Sequence, residues 1–320
     1  MADSFHYLPL SAEKLANLFL QLAQLEKAGL PADKAFALIA DEDKALKPRL
    51  YFIQRQLQRG TAIAEAGFKA GLFNELQRAL LHAAETGGTL ATVYKRLADN
   101  YAARAMRLRK IKNRCYYPAI LLTISLFLQP LPALVGGSIT GSEYLQLSLG
   151  RLFAILFLLS FALSLPALFR KVGLKAVFDR LQLRLPLVSQ WLIRRQLNDF
   201  YLNLSLLLAA GLAFAQALPK VVASIPNNSL RAQFDSALDC VNSGDSVAEV
   251  LSTVDCIRGT TILQVISSSE QSGSLAGGLQ HIAQLEADDL NLQDEMLAEW
   301  LPRLVYAGVV IWIAKSLIGF

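Results

Sequence analysis

Two stretches of this chain carry no charge over the length of a membrane-crossing helix, and nothing else in the sequence restricts its folding as strongly. Tyr117–Val135 (YPAILLTISLFLQPLPALV) and Leu152–Phe169 (LFAILFLLSFALSLPALF) are uncharged throughout. At the helical rise per residue the first covers roughly 28 Å, close to the hydrocarbon thickness of a bilayer. Pro130 and Pro132 lie near its far end and predict a kink or a stop. The segment between the runs, GGSITGSEYLQLSLG, has Glu143 as its one charge and predicts a short polar loop. A third run, Leu304–Phe320, would cover roughly 25 Å, with Lys315 placed to snorkel to the interface. Charge-free runs of this length between basic clusters are hard to reconcile with the competing reading, a buried hairpin of a water-soluble fold.

The flanks predict an orientation. Arg104, Arg107, Arg109, Lys110, Lys112 and Arg114 precede the first run, and Arg170, Lys171, Lys175, Arg180 and Arg184 follow the second. The loop side offers only Arg151. An excess of Lys and Arg marks the cytoplasmic side, so the N-terminus and both flanks are expected inside and Glu143 outside. Composition agrees with a membrane class: 53% of the 320 residues are hydrophobic and the mean hydropathy is +0.36. The net charge of +5 sits mostly beside the apolar runs, where anionic lipid headgroups are the natural partner. RLRKIKNR lacks interleaved aromatics, so no nucleic-acid partner is expected. Cys115, Cys240 and Cys256 form no CxxC pair and are expected as free thiols. The opening MADSFHYLPLS has no basic region followed by an apolar one, so no cleaved signal is expected.

Outside the apolar runs the periodicity is helical and no alternating strand pattern occurs, so the fold class is all-α. Leu15, Leu18, Phe19, Leu22 and Leu25 form one helical face behind a Ser11 cap, and Gly29-Leu30-Pro31 ends it. Further helices are expected from Ala32 to Ala45, Lys47 to Arg59, Ala62 to Ala66 (behind a Thr61 cap) and Asn74 to Ala84. After Glu85-Thr86-Gly87-Gly88 a long helix should run from Thr89 into the first apolar run. The second half repeats this plan. Ala210-Gly211-Leu212 stands where Ala28-Gly29-Leu30 stood, and Ser243-Gly244 before Val247-Ala248-Glu249 echoes Arg59-Gly60 before Ile63-Ala64-Glu65. Glu270-Gln271-Ser272-Gly273-Ser274-Leu275 echoes Glu85-Thr86-Gly87-Gly88-Thr89-Leu90. The offset grows from 182 (211 minus 29) through 184 (244 minus 60) to 185 (270 minus 85), as small loop insertions would make it. Three landmarks in one order point to an internal duplication.

The E-x-x-G-x-L element has a conformational reading. Gly88 and Gly273 suit a positive φ that closes one helix, and Thr89 and Ser274 are placed to cap the next. Glu85 and Glu270 stand at the C-terminal end of a helix, where the dipole disfavours a carboxylate. Bonding to a neighbouring helix's free N–H groups, to a basic residue, to a partner or to a cation would each account for them. Glu65 and Glu249 read as solvated helix residues. Catalytic signals are absent: there is no phosphate-binding loop, dinucleotide fingerprint or H-E-x-x-H, and His6, His82 and His281 are isolated. No cofactor and no metal are expected.

Two helical repeats, each with an A-G-L helix end and an E-x-x-G-x-L break, separated by a membrane hairpin and closed by a third span, resemble the F-type inner-membrane platform proteins. These belong to type II secretion systems and type IV pilus assembly machines. The resemblance covers nearly the whole chain from Ser11. It implies a non-enzymatic scaffold in the bacterial inner membrane, with a cytoplasmic N-terminus. Implied partners are a cytoplasmic assembly ATPase, pilin or pseudopilin subunits, other inner-membrane machine components and further copies of the chain. Gly29, Glu85, Gly88, Gly211, Glu270 and Gly273 carry the structural or partner motif. The expected division is a first cytoplasmic repeat at 11–115, spans at 116–136 and 151–169 around an external loop at 137–150, a second repeat at 170–300 and a last span at 301–320. Three features depart from the family pattern: the chain starts almost at the first repeat, Ala84 and Ser269 stand where Gly is frequent, and the last span is short. The alternative, a small polytopic transporter or channel component, would need polar groups converging within the spans, which offer only Lys315, Gln129 and a few hydroxyls.

Overall fold

The structure, a computed structural model, describes residues 10–171, 186–241 and 244–318; most side chains of 152–171 and 301–318 lie outside the description. His6, Lys175, Arg180, Arg184, Ser243 and Phe320, and the side chains of Cys115 and Lys315, are likewise outside the described residues. Every regular element among those described is helical.

The first repeat opens with α1 (Ala12–Lys27), whose first turn is capped by Ser11 Oγ accepting from the Lys14 N–H at 3.4 Å. Leu15, Leu18, Phe19 and Leu22 form its buried face. Helix α2 spans Ala32–Glu42, shorter than the sequence suggests. The Asp43 carboxylate accepts from the backbone N–H of Ala45 at 2.8 Å and of Leu46 at 3.4 Å, turning the chain before α3 (Lys47–Gln58). Next come α4 (Ile63–Lys69) and α5 (Glu75–Thr86). Helix α5 begins with a reciprocal capping box between Asn74 and Gln77. Helix α6 (Leu90–Leu128) runs from the repeat through the first basic cluster.

The second repeat consists of α9 (Pro186–Ala209), α10 (Phe214–Ser224), α11 (Asn228–Arg231), a 3₁₀ turn (Ala232–Phe234), α12 (Asp235–Cys240), α13 (Val247–Ser252), α14 (Thr261–Gln271) and α15 (Leu275–Ile318). Its order matches the first, except that the single helix α3 corresponds to the broken run α11–3₁₀–α12. Phe234, in the 3₁₀ turn, is fully buried, with its ring centroid 4.8 Å from that of Phe200. The helix ends recur as well: Gly29 and Gly211 have φ of 74° and 93°, Gly60 and Gly244 81° and 85°, Gly71 and Gly259 63° and 72°, and Gly88 and Gly273 64° and 68°. The Gly71/Gly259 pair was not among the sequence landmarks.

The chain divides into two compact units, one of residues 1–106 and 185–288, the other of 107–184 and 289–320. The first unit holds both repeats around one apolar cluster, in which Phe19 stacks on Phe73, Tyr94 and Tyr101. Within it α5 packs against α10 and α9. Arg194 reaches Glu286 Oε2 with both Nε and Nη2, at 3.1 and 3.0 Å, joining α9 to α15. The expected divisions at 115/116 and 300/301 fall inside the continuous helices α6 and α15.

The second unit contains the remainder of α6, with α7 (Leu131–Val135), α8 (Gly141–Lys171) and the end of α15. Helix α6 stops two residues before Pro130, and α7 begins with Pro132 in its first turn. The segment expected as a loop through Gly150 is helical from Gly141. Thr140 Oγ1 accepts from the Glu143 N–H at 3.4 Å while Glu143 Oε2 accepts from the Thr140 N–H at 2.8 Å, a capping box that starts α8 early. The backbone N–H of Thr140, and next its side chain, hydrogen-bond to the Glu143 carboxyl and hold it below its usual range. The Tyr144 hydroxyl donates to the Phe127 carbonyl at 3.0 Å and Arg151 Nη1 to Gln129 Oε1 at 2.5 Å, tying α8 to α6. Tyr116, Ile120, Ile124 and Leu128 form an exposed apolar ridge on α6, and Phe153, Phe157 and Phe161 another on α8, each at four-residue spacing. Among the described residues no helix is long and apolar enough to cross a membrane. The second and third apolar runs, 152–169 and 304–320, fall mainly on residues outside the description.

Candidate functional site

The recurring glutamates are joined to recurring helix N-termini. The residue that caps helix α4 is Ala62, which has no side-chain acceptor for the free N–H groups, and Thr61 is not its cap. Glu85, in the last turn of α5, supplies the acceptor: its Oε1 takes the Ile63 N–H at 3.0 Å. In the second repeat Glu270, in the last turn of α14, accepts the Val247 N–H at 2.7 Å with Oε1 and the Ala248 N–H at 3.3 Å with Oε2. Each carboxylate thus leaves the unfavourable end of its own helix dipole and meets the favourable end of another. The glycines make this possible. Gly88 and Gly273, at positive φ, close α5 and α14 and turn the chain into α6 and α15.

The side chains after the glycines do not cap. Thr89 Oγ1 is buried with no hydrogen-bond partner, and Ser274 Oγ lies 2.7 Å from Ser272 Oγ instead. Glu249, read from sequence as solvated, forms a capping box with Ser246, and the two hydrogen bonds from Ser246 hold its carboxyl below the usual range. Glu65 pairs with Lys69 and Arg78 at 3.5 Å on the surface.

The first repeat adds polar groups that the second lacks. Glu85 Oε2 and the Tyr94 hydroxyl are buried without hydrogen-bond partners. Burial raises the Tyr94 phenol far above its ordinary range, and the Glu26 and Glu85 carboxylates raise it further. Burial, followed by the Glu85 charge, raises the Glu26 carboxyl. At the repeat offsets Glu26 corresponds to Leu208 and Tyr94 to Leu279, both apolar. Sequence reasoning missed Glu26 and Tyr94 because neither recurs; their common signal is polarity at positions that are leucine in the other copy.

Nothing in this arrangement forms a catalytic constellation. His82 and His281 are exposed and lie in different repeats. Burial pushes the Cys256 thiol up to about 11, which keeps it protonated and unreactive at neutral pH. Among the described residues no group of three or more His, Cys, Asp or Glu side chains is placed to hold a metal ion.

The duplicated caps and glycine turns meet their counterpart in the comparison with known families. The family model described as Type II secretion system (T2SS), protein F matches residues 18–135 and 200–320. The chain belongs to this family. The two matched segments each cover one repeat, and their starts and ends are displaced by 182 (200 minus 18) and 185 (320 minus 135) residues, the same offsets read from the glycines and glutamates. Type II secretion system protein F of Vibrio cholerae is 26% identical over 96% of this chain and 81% of its own length. The protein transport protein HofC homolog of Escherichia coli is 25% identical over 92% and 78%. Type IV pilus assembly protein PilC of Thermus thermophilus is 24% identical over 93% and 79%. Relatives from secretion and from pilus assembly therefore both align along nearly the whole chain.

Proposed function

We propose that this family member is the inner-membrane platform of a type II secretion or type IV pilus assembly machine. The observation that carries this reading is the family match over both repeats, together with near-full-length similarity to proteins named for secretion and for pilus assembly. On this reading the three apolar runs cross the inner membrane, with the N-terminus and both repeats in the cytoplasm. The exposed apolar ridges on α6 and α8 support it, because large side chains at four-residue spacing on an outer helix face suit lipid or a partner helix better than water. The basic residues from Arg104 to Arg114 would then lie at the anionic inner surface.

The role is mechanical. The repeats engage the cytoplasmic assembly ATPase, the membrane part engages pilin or pseudopilin subunits, and movement of the motor passes through α6 and α15, each of which runs unbroken out of its repeat. Gly29, Gly88, Gly211 and Gly273 set the helix ends of the repeats, and Glu85 and Glu270 hold α4 and α13 in place. The test is co-purification of the full chain from membranes with the ATPase and the major pilin-like subunit of the same system. The expected result is capture of the ATPase, with neither substrate flux nor turnover by the chain alone. Failure to capture either partner under conditions that retain other machine components would overturn the reading.

A further inference from the structure

Where α5 of the first repeat packs on α10 of the second, the surface carries a groove of about 540 Å³. Helices α4 and α5 form one wall and α10 the other. Its apolar lining is small and flat: Ala64 of α4, Ala79 of α5, and Pro219 and Ala223 of α10. Sites for small molecules are concave, roughly 300–1,000 Å³ in volume and mostly apolar, with a few convergent polar groups. The groove has that size and that lining, and the polar groups decide what it takes.

The titratable side chains that line it fall into two sets. Glu65 and Glu75 are neutralised within the first repeat. Arg78 reaches Glu75 Oε2 with Nη2 at 2.9 Å and Glu65 Oε2 with Nη1 at 3.5 Å, and Lys69 adds a contact to Glu65 at 3.5 Å. The Arg78 guanidinium also lies over the Phe68 ring, 4.4 Å from its centroid, which fixes it in place. Lys220 and His82 form the other set, one on each wall. Among the described residues neither side chain has an ion-pair or hydrogen-bond partner, although two carboxylates line the same groove.

The duplication does not account for these charges. Arg78 and His82 correspond to Leu263 and Ser267 at the 185-residue offset, and Lys220 corresponds to Leu38 at the 182-residue offset. A charge serving the packing of the repeats would be paired across the seam, and Lys220 is not. An ammonium and an imidazole on facing walls of an apolar groove suit an anionic group brought by a ligand. The lysine supplies a point charge and the histidine ring an N–H donor, a combination that fits phosphate oxygens. A carboxylate ligand would favour the planar fork of an arginine, and Arg78 is already engaged. Toward the other end lies Glu75, seven residues before His82 and so roughly 10 Å away along the helix axis. Its carboxylate is 69% exposed and can accept from a hydroxyl or an amine.

We infer that this groove binds a mononucleotide. The phosphate lies between Lys220 and His82, the base rests on the alanine and proline lining, and a sugar hydroxyl or base amine donates to Glu75. No bond is made or broken. A ligand seated there touches α4, α5 and α10 together, so it fixes one repeat against the other and links the seam to the concentration of a soluble metabolite. This inference goes beyond the platform reading and does not depend on it.

The test is equilibrium dialysis of the full chain, purified to homogeneity in detergent, against each of the four common ribonucleoside monophosphates. The parent nucleosides and inorganic phosphate serve as competitors. The expected result is saturable binding of at least one monophosphate, one per chain, with its nucleoside and inorganic phosphate each at least tenfold weaker. Lys220→Gln should weaken binding about tenfold or more, the scale of a lost charged hydrogen bond, and His82→Ala about threefold or more. Lys44→Gln, an exposed lysine that does not line the groove, should leave the affinity unchanged. Melting without ligand should be the same for all three variants, because each replaces an exposed side chain. Bound monophosphate should raise the melting temperature of the unaltered chain and not that of Lys220→Gln. Absence of binding by all four monophosphates overturns the proposal, as does undiminished affinity in Lys220→Gln. Equal weakening by Lys44→Gln would reduce the effect to overall charge, and equal competition by inorganic phosphate would mean an adventitious anion only; either result also overturns it.

Discussion

Glu85 and Glu270 occupy equivalent places and use their carboxylates unequally. Glu85 bonds the α4 terminus through one oxygen and Glu270 bonds the α13 terminus through both. Replacing either with Ala removes a helix cap and should cost about 1 kcal/mol, within the usual 0.5–2 kcal/mol for a lost N-cap. Glutamine separates the two. Glu85→Gln keeps the one oxygen that is used and should leave stability nearly unchanged, whereas Glu270→Gln turns one of two acceptors into a donor facing a donor and should destabilise measurably. Chemical denaturation of both variants checks the order, and equal losses would refute it. Glu26 gives a pH test. Its carboxyl is raised by burial and by the Glu85 charge, so the folded protein binds this proton more tightly than the unfolded chain. The stability from the protonated form is complete below the ordinary carboxylate pKa and is lost as pH rises through the raised one. Glu26→Gln should therefore raise the melting temperature at pH 7 and lose that advantage by about pH 4. A gain independent of pH would mean that packing, not charge, sets the difference.

At the scale of elements, the turns between helices carry the duplication. Gly88 and Gly273 have open space where a β-carbon would sit, so a substitution there meets backbone strain and no clash. Gly88→Val and Gly273→Val should each cost on the order of 1 kcal/mol or more. Asn, which tolerates the left-handed region, should cost less at both sites. Equal losses for Val and Asn, measured by thermal melting, would show that something other than φ is at work. This is also where the sequence was most informative. The glycine landmarks, the Ser11 cap, the break after Gly88 and the all-helical pattern all depend on neighbours within one turn. Other features depend on distant residues. A carboxylate at the wrong end of α5 was visible in sequence, but the N-terminus it serves lies 22 residues earlier and is brought close only by packing. The Thr61 and Thr89 caps fail for the same reason: Glu85 already serves α4, and Thr89 is enclosed by its surroundings. The break of α3's counterpart at Phe234 accompanies burial against Phe200, a contact that no local pattern announces. The early start of α8 is legible in Thr140 and Glu143, a capping-box pair within a polar segment whose composition otherwise suits a loop.

For the whole molecule, the charges flanking the apolar runs lead to the last prediction, the topology. Six basic residues stand between Arg104 and Arg114, and the segment between the first two runs offers Arg151 and Glu143. Translocating the basic flank would move that cluster across the membrane against the potential, at about 2.3 kcal/mol per charge for each 100 mV. The hairpin formed by α6 and α8 should therefore insert with its connecting segment outside, which leaves both repeats on the inner side, where they can build the single compact unit seen here. A reporter active only outside the cytoplasm should be active when fused after Glu143 and silent when fused after Asn228. A cytoplasmic reporter should give the opposite pattern. If the Glu143 fusion is cytoplasmic, the hairpin does not cross and the platform reading loses its membrane anchor. If both fusions are external, the positive flanks do not govern insertion in this chain. Replacing Arg104, Arg107, Arg109, Lys110, Lys112 and Arg114 with Gln should then distinguish the cause, because an orientation set by these charges becomes mixed once they are removed, and one set by folding of the repeats does not.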